Sequence, residues 1–448
     1  MNAIDTWHSL LGPDVEMSRA YTEEFAASMR ARKLTFGDRV HCPFLRPFFL
    51  TESDESRMRV AAETIAALGE RVIAAALQSP GLFNQLGLTE SEVRLVRLDP
   101  GYERASTASR LDAFLLPESL RFAEYNAESP AGLGYTQRLC ELFEEMPAMR
   151  TFRQGRRVRF NATIEPMLDA LVASYREWGG AADPPTIAIV DWREVPTWSE
   201  FEILRDAFTA RGVPTIVCDP RELTFDNEAL TCGATRIDLV YRRVLINDIV
   251  ARSEDCAALL KAYEKKAVCV ANTFRCKLAH KKAFFAVLTD ERNAELFSDQ
   301  ERAIVDAHVP WTRILSDTDT VLHGRRQRLM RLAEDHRESL VLKPNDEYGG
   351  TGVHLGWETS PSEWSDALNR ALNMPPGTWV IQERIPVRRE IFPMFDDTGV
   401  VSMRDMLVDF APYLFRGRMT GYLTRLSSTG LANVTSGGGQ VPSFVVGD

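Results

Sequence analysis

The spacing of apolar residues first indicates helices. From residue 1 to about residue 88, apolar side chains recur at intervals near 3.6, most clearly in the alanine-rich stretch 58–78. This stretch predicts a long helix in which Gly69 is the only break. Similar spacing predicts helices near residues 135–143 and 163–178. We expect the region before residue 88 to cover or frame the rest of the molecule.

The pattern changes after a break rich in glycine and proline at residues 179–185. Short β-branched runs then alternate with a helical stretch, which predicts a small open α/β unit with parallel strands and right-handed crossovers. The predicted strands are 186–190, 214–218 and 237–241, and the predicted helix is 198–211. The pattern alone does not indicate what such a unit binds.

Two strand-like runs flank residues 117–119 and predict a β-hairpin. With these three residues as the loop, Asp112 lies opposite Glu124 and Arg110 lies opposite Asn126, all on one face. Opposed carboxylates repel unless a cation lies between them. Two carboxylates and an amide oxygen suit magnesium, and Arg110 could meet a phosphate or an oxyanion. The alternative is a solvated face with a surface Arg–Asp ion pair.

A second candidate for phosphate binding lies at residues 340–358. An apolar run ends at Lys343, and a loop with Gly349, Gly350 and Gly352 follows. The lysine can neutralise phosphate charge, while glycines allow backbone N–H groups to approach phosphate oxygens. The residue order excludes a Walker A loop, and the glycine spacing does not match a dinucleotide fingerprint. The alternative is an ordinary hairpin whose turn requires glycine.

Composition restricts the class of protein. A chain of 448 residues exceeds the size of a single core, so two or three packed units are expected. The formal net charge of -10 argues against a general nucleic-acid or membrane-surface binder. We find no signal peptide and no membrane-spanning run, so the sequence predicts a cytoplasmic protein. A symmetric homodimer is the default expectation for such a protein.

The order of these motifs resembles that of a known family. The hairpin is followed by E-x-N-x-x-S-P, the α/β unit, KAFFAVL at Lys282, LKP with GGTG, and VIQE. From about Asp99 onward, the chain resembles circularly permuted ATP-grasp proteins and is similar to the synthetase domain of glutathionylspermidine synthetase. The resemblance implies a mixed α/β (α+β) fold. Its parts would be a helical region (1–88), a permuted ATP-grasp part with the metal hairpin (89–184), a pre-ATP-grasp-like α/β unit (185–271), and a nucleotide-binding part with a glycine-rich lid (272–448).

The resemblance also implies roles for single residues. Asp112, Glu124 and Asn126 would hold Mg²⁺ on the ATP phosphates, and Arg110 would stabilise the transferred phosphoryl group. Lys282 and Lys343 would contact the phosphates and the nucleotide from two strands. The backbone around Gln382 and Glu383 would bind the adenine edge, and the loop with Gly349, Gly350 and Gly352 would close as a lid. Arg425 would lie near the reacting centre, and Asn433 is a further candidate.

Some of these residues have a structural alternative. Lys282 belongs to a run with Lys277 and Lys281, and such a run is usually a solvated helix face. Gln382 and Glu383 are by themselves only the polar end of a strand.

The activity that the resemblance implies is ATP-dependent ligation of a carboxylate to an amine through an acyl phosphate, with release of ADP and phosphate. The substrates would be small molecules, such as an amino acid, a peptide or a polyamine. We see no amidase domain before Asp99, which leaves glutathione and spermidine open as substrates. Alternatives are a phosphotransferase without an amine acceptor and a non-catalytic nucleotide-binding partner protein. We expect Asp112→Ala and Glu124→Ala to abolish Mg-ATP turnover with little loss of folding.

Overall fold

The structure is a computed structural model that describes residues 2–12, 17–226, 228–347, 349–428 and 438–447. Its long helix, Glu52–Gln78, begins at a capping box of Thr51 and Asp54 and continues through Gly69. The other α-helices are Ala3–Leu10, Arg19–Ala31, Pro80–Gln85, Glu90–Arg97, Leu133–Glu144, Pro147–Phe152, Ile164–Glu177, Trp198–Ala210, Ile246–Ala251, Ala257–Glu264, Lys277–His280, Ala283–Thr289, Asp299–His308, Leu329–Asp335 and Pro361–Leu372. Single 3₁₀ turns cover Arg153–Gly155, Pro220–Glu222, Phe274–Cys276, Glu291–Leu296 and Arg337–Ser339.

A six-stranded antiparallel sheet carries the hairpin predicted from the sequence. In order across the sheet, its strands are Gly439–Val441, Arg418–Ser427, Val401–Phe415, Ala108–Leu115 and Leu120–Asn126. The sixth strand, Arg388–Phe395, pairs with Val401–Phe415. The hairpin strand Ala108–Leu115 therefore pairs with Val401–Phe415, a strand that lies about 300 residues later in the sequence.

A second antiparallel sheet carries Lys343. Its strands, in spatial order, are Thr312–Ile314, Trp379–Glu383, Leu340–Pro344 and His354–Leu355. The sheet has its own small hydrophobic core with the helices Leu329–Asp335 and Pro361–Leu372, around Leu342, Trp364 and Ile381. The region with the glycines thus forms the loop of a long hairpin between the last two strands.

The predicted α/β unit is present, and its strands are parallel as expected. They are Cys269–Ala271, Leu239–Arg242, Ile187–Val190 and Thr215–Cys218 in spatial order, with the helix Trp198–Ala210 between two of them. Short antiparallel strands, Leu223–Phe225, Leu230–Cys232 and Thr235–Ile237, form an added sheet. The predicted third strand at 237–241 is therefore shifted to Leu239–Arg242, because the residues before it pair elsewhere.

Three smaller pairings complete the fold. The strand Ser443–Val446 lies between Phe48–Thr51 and Val158–Arg159, so the end of the chain pairs with an early strand. Two isolated hairpins are Thr35–Phe36 with Arg39–Val40, and Asp319–Leu322 with Arg325–Arg328. Among the described residues, no helix is long and apolar enough to cross a membrane.

Candidate active site

The hairpin places its four predicted residues on one face. Arg110 lies opposite Asn126, and Asp112 lies opposite Glu124, which confirms the predicted pairing. The loop has two residues instead of the predicted three, since Leu116 and Ser119 exchange hydrogen bonds. A β-bulge at Ala123 adds the missing residue, because Ala113 pairs with Phe122. The predicted pairing of Asp112 with Glu124 is thus correct, but it results from a two-residue turn and a bulge, and not from a three-residue loop.

Asp112 and Arg110 form a buried ion pair. The two side chains are 5% and 8% exposed, and the guanidinium donates from Nε to Oδ1 at 2.7 Å and from Nη2 to Oδ2 at 3.1 Å. Arg110 Nη1 also donates to the Ala131 carbonyl at 3.0 Å. The pair therefore does not lie on a solvated surface, the alternative that the sequence left open. Its geometry is the bidentate one that fixes a carboxylate in orientation.

Arg425 extends this ion pair into the next strands. Its Nη2 donates to Asp112 Oδ2 at 2.6 Å, and its Nε donates to Asp409 Oδ2 at 2.6 Å. Burial raises the pKa of Asp112, but the guanidinium groups of Arg110 and Arg425 outweigh burial and hold it well below its ordinary value. The family resemblance implied a place for Arg425 near the reacting centre, and in the structure its side chain reaches Asp112 of the hairpin from the strand Arg418–Ser427.

Asp409 is a site residue that the sequence reading missed. It is 2% exposed and lies opposite Arg425 in the strand pairing. Burial raises its pKa to about 6, against the opposing effect of Arg425. Its Oδ1 is buried and has no hydrogen-bond partner within the described part of the chain. One signal was available in the sequence: Asp409 is the only charged residue in the apolar run LVDFAPYLF.

Lys343 and Gln382 meet on the second sheet. Lys343 Nζ donates to Gln382 Oε1 at 2.6 Å, and Gln382 Nε2 donates to Thr312 Oγ1 at 3.0 Å. The described residues supply no ion-pair partner for Lys343. Burial lowers the pKa of Lys343 to about 8, against the opposing effect of the Glu124 carboxylate. The hydrogen bond to Gln382 therefore leaves the charge of this ammonium to be balanced from a distance by Glu124.

Lys282 lies at the start of the helix Ala283–Thr289, so it does not belong to a strand as expected. Its Nζ lies 3.4 Å from Glu124 Oε2 and donates to the Glu347 carbonyl at 2.6 Å. Burial raises the pKa of Glu124, but the charges of Lys282, Lys343 and Arg425 together outweigh burial, and the pKa is lowered. Lys282 thus connects the hairpin sheet with the loop that follows Lys343.

Gly349, Gly350 and Glu383, which were predicted to contact the nucleotide, lie near Lys343. Gly349, Gly350 and Gly352 all have positive φ angles, of 66°, 78° and 70°. The Glu383 N–H already donates to the Trp311 carbonyl at 2.8 Å, so it is not available to an adenine edge. Asn126 donates to Glu124 Oε1 at 3.1 Å. Asn433 lies outside the described residues.

These side chains line one cleft between the two antiparallel sheets. Its polar lining residues include Asp112, Glu124, Lys282, Lys343, Gln382, Glu383, Asp409 and Arg425, and Gly349 and Gly350 also border it. Apolar residues, among them Val341, Leu355, Trp357 and Ile385, form the rest of the lining. Arg110 and Asn126 do not line the cleft but contact Asp112 and Glu124, which do, and Gly352 precedes the lining residue Val353. A cleft lined by both charged and apolar groups suits a nucleotide.

The donor set fits a nucleotide with a hard cation. Among the described residues, Lys343 has no carboxylate within ion-pair distance, and the buried Asp409 Oδ1 has no hydrogen-bond donor. The described residues contain no group of three His, Cys, Asp or Glu side chains arranged for a metal ion. A magnesium site would therefore combine the carboxylates of Asp112 and Glu124 with the Asn126 amide and with oxygens from a ligand.

The comparison with protein families agrees with this arrangement. The family described as circularly permuted ATP-grasp type 2 matches residues 117–434. The chain belongs to the circularly permuted ATP-grasp family. Members of this ATP-grasp family generally use ATP and Mg²⁺. The expected fold is confirmed.

Two curated proteins resemble this ATP-grasp chain. A Frankia casuarinae protein provisionally named glutamate–cysteine ligase 2-2 is 22% identical over 338 residues, which are 72% of this chain and 36% of that protein. An uncharacterised Synechocystis protein is 26% identical over 231 residues, which are 48% of this chain and 44% of that protein. The matched regions thus span less than half of the length of either relative.

A solved structure supports the same fold. A glutathione synthetase-like effector from Globodera pallida superposes with a TM-score of 0.61 at 12% identity. The match covers 97% of this chain and 98% of the effector chain. At this identity, the likeness extends to the fold of the ATP-grasp chain alone.

Proposed function

We propose that the protein is an ATP-dependent ligase that joins a carboxylate to an amine. In the first step, the substrate carboxylate attacks the γ-phosphorus of ATP, which gives an acyl phosphate and ADP. In the second step, the amine attacks the acyl carbon and phosphate leaves, so that an amide forms. The cleft that combines Asp112 and Glu124 with Lys343 and Arg425 carries this proposal.

The cationic side chains would bind and stabilise the phosphates. Lys343 approaches the cleft from the strand Leu340–Pro344, and Lys282 approaches it from the start of the helix Ala283–Thr289. The two lysines would thus hold the phosphate chain from two directions. Arg110 and Arg425 already share the Asp112 carboxylate, and this fixes their guanidinium groups in place before substrate binds. Charge that is fixed in advance stabilises a developing negative charge without reorganisation.

The metal residues would act together with these cations. Asp112, Glu124 and Asn126 would hold Mg²⁺, which neutralises phosphate charge when bound. The described residues that line the cleft include no Cys, Ser, Thr or His. This composition agrees with direct transfer between substrates and does not call for a protein nucleophile.

Water must be excluded from an acyl phosphate, because hydrolysis would return the free carboxylate before the amine reacts. The loop with Gly349, Gly350 and Gly352 borders the cleft beside Lys343. We infer that this loop closes over the bound nucleotide and excludes water.

The acid and the amine are proposed to be amino acids or small peptides. The Frankia relative is provisionally named a glutamate–cysteine ligase, a name that describes the joining of two amino acids. Polyamines remain within the same amine class and belong in the same test.

The test measures ADP and phosphate release from Mg-ATP with pooled amino acids, peptides and polyamines, followed by mass spectrometry of the products. A product with the mass of acid plus amine minus water is expected. ADP release that does not depend on any amine would favour a phosphotransferase, and ATP binding without turnover would favour a non-catalytic protein. Failure to bind ATP would contradict the proposal as a whole.

A further inference from the structure

A second cavity, of about 610 Å³, lies outside the ATP-grasp cleft. One part of its lining is apolar and comes from Ile73, Ala74 and Leu77 on the helix Glu52–Gln78. The charged part of the lining consists of Glu70, Glu103, Arg104, Glu177, Arg275 and Arg416. None of these residues belongs to the proposed ligase site.

Two of the three acidic side chains are already bound within the protein. Glu70 accepts hydrogen bonds from the backbone N–H groups of Ala105 at 2.9 Å and Ser106 at 3.0 Å. Glu177 accepts from the Glu103 N–H at 3.1 Å and pairs with Arg416. These carboxylates therefore position the backbone and Arg416, and neither accepts a hydrogen bond from the side chains of Arg104 or Arg275.

Arg104 and Arg275 are the lining arginines whose side chains make no hydrogen bond to the described residues. Arg104 Nη1 lies 3.9 Å from Glu70 Oε1, which is within ion-pair distance but too long for a hydrogen bond. Arg275 Nε is buried and has no hydrogen-bond partner among the residues that the structure describes. A buried donor left unsatisfied destabilises the folded protein. An acceptor from a ligand in the cavity would remove this destabilisation.

We propose that this cavity binds a small organic anion, with its acidic group on Arg104 and Arg275 and its apolar part on Ile73, Ala74 and Leu77. Guanidinium groups recognise carboxylate and phosphate groups through paired N–H donors. Binding sites for small molecules combine an apolar lining with a few such polar groups. The mixed lining distinguishes the expected ligand from a simple inorganic ion.

The cavity adjoins the strand that carries the ligase residues. Ala105 and Ser106, which Glu70 holds, precede the strand Ala108–Leu115 with Arg110 and Asp112. The Ala105 carbonyl also accepts from the Thr273 N–H at 3.1 Å. An anion in the cavity would thus contact the segment that leads into the ligase site.

The test is calorimetric titration of the full chain with phenyl phosphate and with inorganic phosphate. We expect the wild-type protein to bind phenyl phosphate more tightly than inorganic phosphate, because only the former has an apolar part. Arg104→Gln and Arg275→Gln should each weaken phenyl phosphate binding about tenfold or more, the loss expected for a charged hydrogen bond.

A control variant separates this site from nonspecific loss of surface charge. Arg71→Gln removes a guanidinium of the helix Glu52–Gln78, which pairs with Glu301 and does not line the cavity, so binding should be unchanged. Absence of binding, equal affinity for the two probes, or no loss in Arg275→Gln would each overturn the proposal. This result does not depend on whether ATP binds or turns over.

Discussion

The carboxylate of Asp112 lies between the guanidinium groups of Arg110 and Arg425, and the residue is only 4% exposed. Such a charge is stabilised only while its partners are present, because removal of one member leaves the others buried and unpaired. Glu124 differs, since its side chain is 30% exposed and its contact with Lys282 is longer, at 3.4 Å. Two carboxylates on one hairpin face therefore have different structural importance.

This difference changes what we expect of the alanine variants. Asp112→Ala and Glu124→Ala should both abolish Mg-ATP turnover. Asp112→Ala should also lower the free energy of unfolding by about 3–5 kcal/mol, because two buried arginines lose their shared partner. Glu124→Ala should lower it by less than about 1 kcal/mol, as for an exposed pair. Urea denaturation checks this expectation, and equal stability of the two variants would contradict it.

The lowered pKa of Lys343 predicts that protons are taken up when ATP binds. With a pKa of about 8, it is partly neutral in the free protein above that pH. Bound phosphates favour the ammonium, so ATP binding should take up protons through Lys343 at about pH 8.5 and almost none through this residue at about pH 6.5. For the same reason, ATP affinity should fall as the pH rises through about 8.

Calorimetry in two buffers with different ionisation enthalpies measures this uptake. The apparent binding enthalpy should depend on the buffer at the higher pH in the wild-type protein. The dependence should disappear in Lys343→Met. If both proteins show the same uptake, another group is responsible and the assignment to Lys343 is wrong.

At the scale of elements, the hairpin and the glycine loop set the geometry of the cleft. The two-residue turn and the bulge at Ala123 together bring Asp112 opposite Glu124. A one-residue slip would turn one carboxylate to the other face of the sheet. In the second hairpin, Gly352 has a φ of +70°, and a Cβ atom there would lie 2.8 Å from Pro344 Cγ, next to Lys343.

Gly352→Ala should therefore impair the loop. The left-handed backbone conformation costs an alanine about 1–2 kcal/mol, and the contact with Pro344 requires a further shift. We expect ATP turnover to fall about tenfold or more, the factor that corresponds to such a cost. Steady-state ADP release with the identified substrates measures it.

Gly324→Ala is the matched control. Gly324 also has a positive φ, of +77°, but a Cβ atom there meets nothing within 4 Å, and the residue does not line the cleft. Its turnover should equal that of the wild-type protein. Equal turnover in both variants would show that the loop geometry at Gly352 is not required.

For the whole molecule, one buried group of charges connects distant parts of the chain. Lys277 pairs with Glu128 at 3.2 Å and Asp346 at 2.8 Å, and Lys281 pairs with Glu92 at 2.8 Å and Asp346 at 2.6 Å. Arg242 of the parallel sheet also reaches Glu128, at 3.2 Å. The alternative of a solvated helix face, which the run of lysines had left open for Lys282, is thus excluded for Lys277 and Lys281, which are 1% and 3% exposed.

Lys277→Met should destabilise the whole protein. It leaves the Glu128 and Asp346 carboxylates with fewer partners in a buried place, and breaking such a network typically costs about 3–5 kcal/mol. Thermal and urea denaturation measure this change.

Lys261→Met serves as the control, because Lys261 is exposed on the helix Ala257–Glu264. Its effect on the free energy of unfolding should stay within about 0.5 kcal/mol. If Lys277→Met is as stable as this control, the buried group does not hold the parts of the molecule together.

Much of the local structure could be predicted from the sequence. Apolar spacing identified the long helix, the parallel unit and the two hairpins, because side-chain direction follows the period of each element. The same alternation gave the pairing of Asp112 with Glu124, and the motif order indicated the family. These features depend on residues that are close together in the sequence.

Other features were decided only by the tertiary structure. Asp409 joins the site because its strand pairs with Ala108–Leu115, and Lys277 is buried because Glu128 and Asp346 approach it. The side-chain environment of a charge depends on residues that are distant along the chain, and so does the cost of burying it. The sequence by itself therefore determined the elements and the candidate chemistry, whereas the packing of distant strands decided which charges are buried and what they contact.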